Sequence, residues 1–258
     1  MIANIMHHKR ASVAPVVPRK GEAIACSVCN LFQLCTPVGG GMPDLGLLDR
    51  VSKRPRTLKR GEVLYAPGEA LRHIYAVRSG SLKSFVPRDR GGECITGFHL
   101  PGELLGLEAI DDGVHRCGAR ALDTASICEV PLNRLEKLGG VENQVQRQML
   151  RVMSRQLRHN LAQHAMLSGT RAEQRLAAFI VNLSARFQHR GFSAVEFHMS
   201  MPRHDIANYL GLTKETVCRV LVRFQKRGFV DMNRRHFRIR NFPALTQLAA
   251  VPGHCSQL

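Results

Sequence analysis

Cys26, Cys29 and Cys35 stand at C-x₂-C-x₅-C near the N-terminus. Thiolates this close hold soft metals or an iron–sulfur cluster, and a tetrahedral Zn site or a cubic cluster needs a fourth ligand. The remaining cysteines, Cys94, Cys117, Cys128, Cys218 and Cys255, are scattered. Each reads on its own as a small buried hydrophobe, so spacing leaves the fourth ligand open.

A second chemistry lies far along the chain. Arg203-His-Asp-Ile-Ala-Asn-Tyr-Leu210 and Lys214–Phe224 read as two short helices joined by a turn at Gly211-Leu212, with Thr213 as N-cap of the second. Ile206, Ala207, Leu210, Leu212, Val217, Val220 and Leu221 supply the faces that such helices bury where they cross. Glu215, Cys218 and Arg219 then share one face near the N-terminus of the second helix, the part that enters a major groove. There Glu accepts from cytosine N4 and Arg donates to guanine O6 and N7. Arg203, Arg223, Lys226, Arg227, Arg234, Arg235 and Arg238 suit phosphates, which position without specifying, and Thr213 and Lys214 join the DNA-binding residues. Phe229–Met232 and Phe237–Arg240 around Asn233-Arg-Arg-His236 read as a hairpin wing.

These residues need elements to carry them. From Leu45 to Leu138 the chain is a series of short alternating runs broken at Pro67-Gly68, Ser79-Gly80, Gly91-Gly92 and Pro101-Gly102, which predicts an antiparallel barrel or jelly roll. Val141 to Ser168 lacks Pro and Gly and predicts a long helix. Leu150, Met153, Leu157, Asn160, His164 and Leu167 recur every three and four residues along it, the seam of a coiled coil. Polar Asn160 and His164 make that dimer marginal and therefore switchable. Leu176, Phe179, Ile180 and Leu183 mark one face of a further helix. The expected division is a disordered basic arm (1–25), a sensor domain (26–140), a dimerisation helix (141–169) and a winged helix-turn-helix domain (170–258), an α+β chain.

Composition narrows the partners. Among 258 residues, 37 Lys and Arg stand against 20 Asp and Glu, a formal charge of +17, which predicts a polyanionic partner. No apolar run reaches the ~18 residues of a membrane span, and the N-terminus has no secretory h-region, so a cytoplasmic protein is expected. Its eight cysteines then argue for metal or redox chemistry over a disulfide framework. No nucleophile–base constellation or dinucleotide fingerprint stands out, which argues against an enzyme. A thiol–disulfide or zinc switch and an iron–sulfur electron carrier are the alternative readings, though the carrier leaves the DNA reader unexplained.

Beyond the cysteine cluster, the segments Ala76-Val-Arg-Ser-Gly-Ser-Leu-Lys-Ser84, Ile95-Thr-Gly-Phe-His-Leu-Pro-Gly102, Cys128-Glu-Val-Pro131, Glu173–Phe179, Asn208–Thr213 and Glu215-Thr-Val-Cys-Arg219 resemble the FNR-type (fumarate and nitrate reductase regulator) branch of the CRP/FNR superfamily. The resemblance runs from Cys26 to Leu248. It implies a cyclic-nucleotide-binding-like antiparallel β-roll, a dimer helix and a winged helix-turn-helix. It also implies an oxygen-labile [4Fe–4S] cluster on Cys26, Cys29, Cys35 and Cys128, with Cys117 as the rival fourth ligand. DNA reading by Glu215 and Arg219 at a two-fold site resembling TTGAT-N₄-ATCAA, a homodimer, contact with RNA polymerase and control of anaerobic gene expression follow from the same resemblance. Cys218 stands where such readers usually carry Ser. The stretch Cys117-Gly-Ala-Arg-Ala-Leu122 with Leu107 lacks the phosphate-holding pattern of cyclic-nucleotide binders, so no cAMP is expected.

Overall fold

The computed structural model describes residues 55–89, 91–132 and 171–249, together with Leu150, Arg151, Met153, Ser154, Leu157, Arg158, Asn160 and Leu161. Cys26, Cys29, Cys35, Cys255, His164 and Leu167 lie outside the described residues.

The alternating runs form the expected roll. Strands β1 (Arg56–Leu58), β2 (Val63–Tyr65), β3 (His73–Ser79), β4 (Leu82–Pro87), β5 (Glu93–His99), β6 (Leu104–Leu105), β7 (Gly118–Ala121) and β8 (Ala125–Pro131) make two four-stranded sheets, ordered β1-β8-β3-β6 and β2-β7-β4-β5. Leu58, Val77, Leu82 and Ile127 are fully buried within it, the inward residues of alternating strands. Gly80 makes the β3–β4 turn possible: its φ is +76°, and a Cβ there would sit 2.5 Å from the Thr124 carbonyl oxygen.

The second unit holds α1 (Ala172–Gln188), β9 (Glu196–His198), α2 (Arg203–Leu210), α3 (Lys214–Lys226), β10 (Val230–Asn233), β11 (His236–Ile239) and α4 (Phe242–Ala249). The winged helix-turn-helix is present as its sequence predicts. Gly211, with φ of 63°, ends α2 in the left-handed region, and the Thr213 hydroxyl accepts from the Thr216 N–H to start α3. The wing gains a third strand that sequence reading did not anticipate: β9 pairs with β11, with Phe197 opposite Phe237. Those two rings stack, their centroids 5.4 Å apart.

The two units share one core. Ile95, Phe98, Leu100 and Leu122 of the roll belong to the same buried cluster as Phe179, Leu183, Tyr209 and Leu210 of the helical unit. The Phe98 ring lies 5.0 Å from Tyr209 and 6.0 Å from Phe179, centroid to centroid.

Candidate nucleic-acid interface and thiol centre

Helix α3 buries Val217, Val220, Leu221 and Phe224 and leaves Lys214, Glu215 and Arg219 exposed, with Cys218 half-exposed between them. Its apolar face is held by α2 through Ile206 and Leu210, so the polar face is presented as a rigid surface. One residue that sequence reading missed continues this face. Val222 is 50% exposed, one turn beyond Cys218 and Arg219. Its spacing, four residues after Cys218 and three after Arg219, was the available signal.

The cations of the reading face and its surroundings differ in their partners. Arg223 and Arg227 both pair with Glu173 of α1, and Arg238 pairs with Glu196 of β9. Among the described residues, no carboxylate pairs with Lys214, Arg219, Lys226, Arg234 or Arg235. Arg203 is half-buried at the start of α2, with its guanidinium donating to the Met199 and Met232 sulfurs at 3.1 and 3.5 Å. Burial pulls its pKa below the usual arginine range.

The thiols are separated by environment. Cys128 lies on β8 opposite Ala76 of β3. Its neighbour Ile127 is fully buried in the roll, so strand alternation turns Cys128 toward the opposite face, where it is half-buried. The Cys117 thiol instead donates to the Glu108 carboxylate at 3.5 Å. Burial pushes its pKa up to about 12, and the Glu108 charge adds to the effect. Cys117 is thus engaged by Glu108, whereas Cys128 lies on a strand of the other sheet. Among the described residues, no three His, Cys, Asp or Glu side chains are grouped to hold a metal.

Two rings stack inside the roll. His115, 1% exposed, stacks on Tyr65 with ring centroids 3.8 Å apart, and its Nδ1 lies 3.0 Å from Glu108. Glu103 is occupied by the helical unit: Arg186 Nε and Arg190 Nη2 meet its Oε1 at 2.8 and 2.9 Å. Burial alone would raise the Glu103 pKa, but these guanidinium charges hold it well below the usual carboxylate range.

The predicted seam is partly visible. Leu150, Met153 and Leu157 are helical and exposed, with Leu157 60% accessible. Asn160 is exposed beside them, and Leu161, which the three–four spacing did not select, joins the apolar stripe. No described helix is long and apolar enough to cross a membrane.

A β-roll that shares its core with a winged helix-turn-helix defines a class of DNA-binding transcription regulators, and comparison with known proteins places the chain within it. Residues 174–248 match the Crp-like helix-turn-helix domain and residues 55–139 the cyclic nucleotide-binding domain. The transcriptional activator protein Anr of Pseudomonas protegens is 47% identical, the match covering 84% of this chain and 88% of that one. The fumarate and nitrate reduction regulatory protein of Escherichia coli K12 is 44% identical, over 89% of this chain and 92% of the other. FixK2 of Bradyrhizobium japonicum, a solved structure, superposes with a TM-score of 0.71 at 31% identity, covering 78% of this chain and 98% of FixK2. The chain belongs to the FNR/Anr family of CRP-like transcriptional regulators.

Proposed function

We propose that this protein is an oxygen-responsive transcriptional regulator, which binds a two-fold DNA site as a homodimer while an oxygen-labile [4Fe–4S] cluster is intact. The observation that carries this reading is the pairing of the C-x₂-C-x₅-C cluster with a strand-borne Cys128 in a chain of the FNR/Anr family. Cys26, Cys29, Cys35 and Cys128 would hold the cluster, which when bound supplies the oxygen-reactive centre.

The chain's own residues supply the rest. Cys128 gives the N-terminal segment an anchor on β8. Leu150, Met153, Leu157, Asn160, His164 and Leu167 associate with a second copy, and the marginal seam lets a small change in the anchor shift the monomer–dimer balance. Glu215, Cys218 and Arg219 of each copy read base edges in successive major grooves of a site resembling TTGAT-N₄-ATCAA. Arg203, Thr213, Lys214 and Arg223 belong to the surrounding contacts, where Glu173 must first release Arg223. Domain limits of 26–140, 141–169 and 170–258, a cytoplasmic location and contact with RNA polymerase complete the reading. Tyr65 and His115 stacked inside the roll, and Glu103 committed to Arg186 and Arg190, support a regulator that takes no cAMP.

The test is iron and acid-labile sulfide per monomer in anaerobically purified protein, measured beside operator binding before and after air. Four of each, with binding lost in air and in Cys26→Ala, is the expected result. Zinc, or binding unchanged in Cys26→Ala, would instead favour a thiol- or zinc-switched regulator.

A further inference from the structure

The helix-turn-helix is joined to the roll by a polar contact far more specific than its apolar core requires. Asn208 of α2 faces strand β5 as another strand would. Its Oδ1 accepts from the Ile95 N–H at 2.9 Å, and its Nδ2 donates to the Glu93 carbonyl at 2.7 Å. One turn earlier on α2, Asp205 meets the Lys83 ammonium of β4 at 3.1 Å, with the two side chains only 5% and 11% exposed. Lys83 also meets Glu93 at 3.1 Å, and Glu93 in turn pairs with Arg120 of β7. Ser81 and Ser200 hydroxyls close the same seam at 2.6 Å.

Buried ion pairs contribute little net stability, because desolvation offsets the attraction, and fixing a geometry is their better-attested use. The geometry fixed here is that of α2 against the β4–β5 hairpin. Through Gly211 and the shared residues Ile206, Leu210, Val217 and Leu221, α2 determines where α3 lies. The chain from roll to reading face therefore has no free joint at this point.

We propose that Lys83, Asp205 and Asn208 are positioning residues that set which half-site spacing the dimer accepts. The inference rests on the reading of the protein as a dimeric DNA binder. In a two-fold dimer the rolls and the seam fix the frame, and the α2 contact fixes each α3 within that frame. One base pair added to the spacer moves a half-site by about 3.4 Å and rotates it by roughly a tenth of a turn. A rigidly held reader rejects such a displacement, whereas a reader on a loosened contact follows it.

The experiment uses anaerobically purified full-length protein and operators with identical half-sites whose spacer is the natural one, one base pair shorter, or one longer. Wild type is expected to bind the altered spacers at least about 10-fold more weakly, comparable to a site mismatch. Asn208→Ala is expected to reduce that ratio to about 3-fold or less while its base preference within each half-site persists. The double variant Lys83→Met with Asp205→Leu removes the ion pair without stranding its charges, and it is expected to behave likewise if Asn208→Ala fails to fold. An equal loss of affinity at every spacer, with the ratio unchanged, would overturn the inference and leave these residues a structural role. Failure of wild type to bind any of the operators would sink the DNA-binding reading itself, and this inference with it.

Discussion

The Cys117 thiol, just before β7, donates to Glu108 at 3.5 Å, while Cys128 lies on β8 in the roll's other sheet, in register with Ala76. Two cysteines close in sequence therefore differ in what they can do. Cys117→Ser should leave iron and sulfide content at the wild-type level, because its side chain is committed to the Glu108 carboxylate. Cys128→Ser should lose the cluster on anaerobic reconstitution. A Cys117→Ser protein that fails to load iron would reverse the assignment.

Glu173 holds both Arg223 and Arg227. Glu173→Gln frees those cations, so DNA affinity should rise on specific and random sequences alike. The slope of log affinity against log salt should steepen by up to about 0.9 for each additional phosphate engaged. Titrations at several salt concentrations check this, and an unchanged slope would show that neither arginine reaches DNA. Arg219→Ala should act differently, costing ~1–3 kcal/mol at its own base pair and relaxing specificity there.

Cys218 and Val222 put a weak donor and an aliphatic group on a face otherwise made of Glu215 and Arg219. Groups of this kind read thymine through its methyl. Replacing successive thymines of the half-site with deoxyuridine should weaken binding at the contacted positions. Val222→Gly should abolish the distinction at one of them. If uracil and thymine operators bind wild type equally throughout, the face reads no methyl group.

His99 gives the fold a pH dependence. Burial pushes its pKa from 6.5 down to about 4, and its Nε2 lies 3.0 Å from the Ser84 hydroxyl. Between these two values the unfolded chain takes up a proton that the folded chain refuses. The His99 contribution is thus fully present above pH 6.5 and lost as pH falls toward 4. Urea midpoints at pH 7 and pH 5 should show a larger drop for wild type than for His99→Gln. Equal drops would assign the acid sensitivity elsewhere.

Local chemistry was the legible part of the sequence. Thr213 caps α3 because a hydroxyl accepts from the N–H of Thr216, and that depends on no distant residue. The strands of the roll follow from alternation, and the turn glycines from their backbone freedom. What long-range packing decides was not legible. Glu196–His198 is too short to announce itself as a strand, and it forms one because Phe197 finds Phe237. Nothing in the sequence pairs Lys83 with Asp205, 122 residues apart, yet they bury one another across the junction. The reading face was visible as a helical period, whereas the engagement of Arg223 by Glu173 required the fold.

The core shared by Ile95, Phe98, Leu100 and the reader helices also limits how this protein can be recombined. A reader excised just before α1 would carry away Phe179 and Tyr209 with their aromatic partner missing, leaving an adhesive apolar scar. A chimera that grafts the reader onto a foreign sensor must bring the β4–β5 hairpin with it. For transplantation, the heritable module begins inside the roll, at Ser81, and the interdomain linker is not its natural edge.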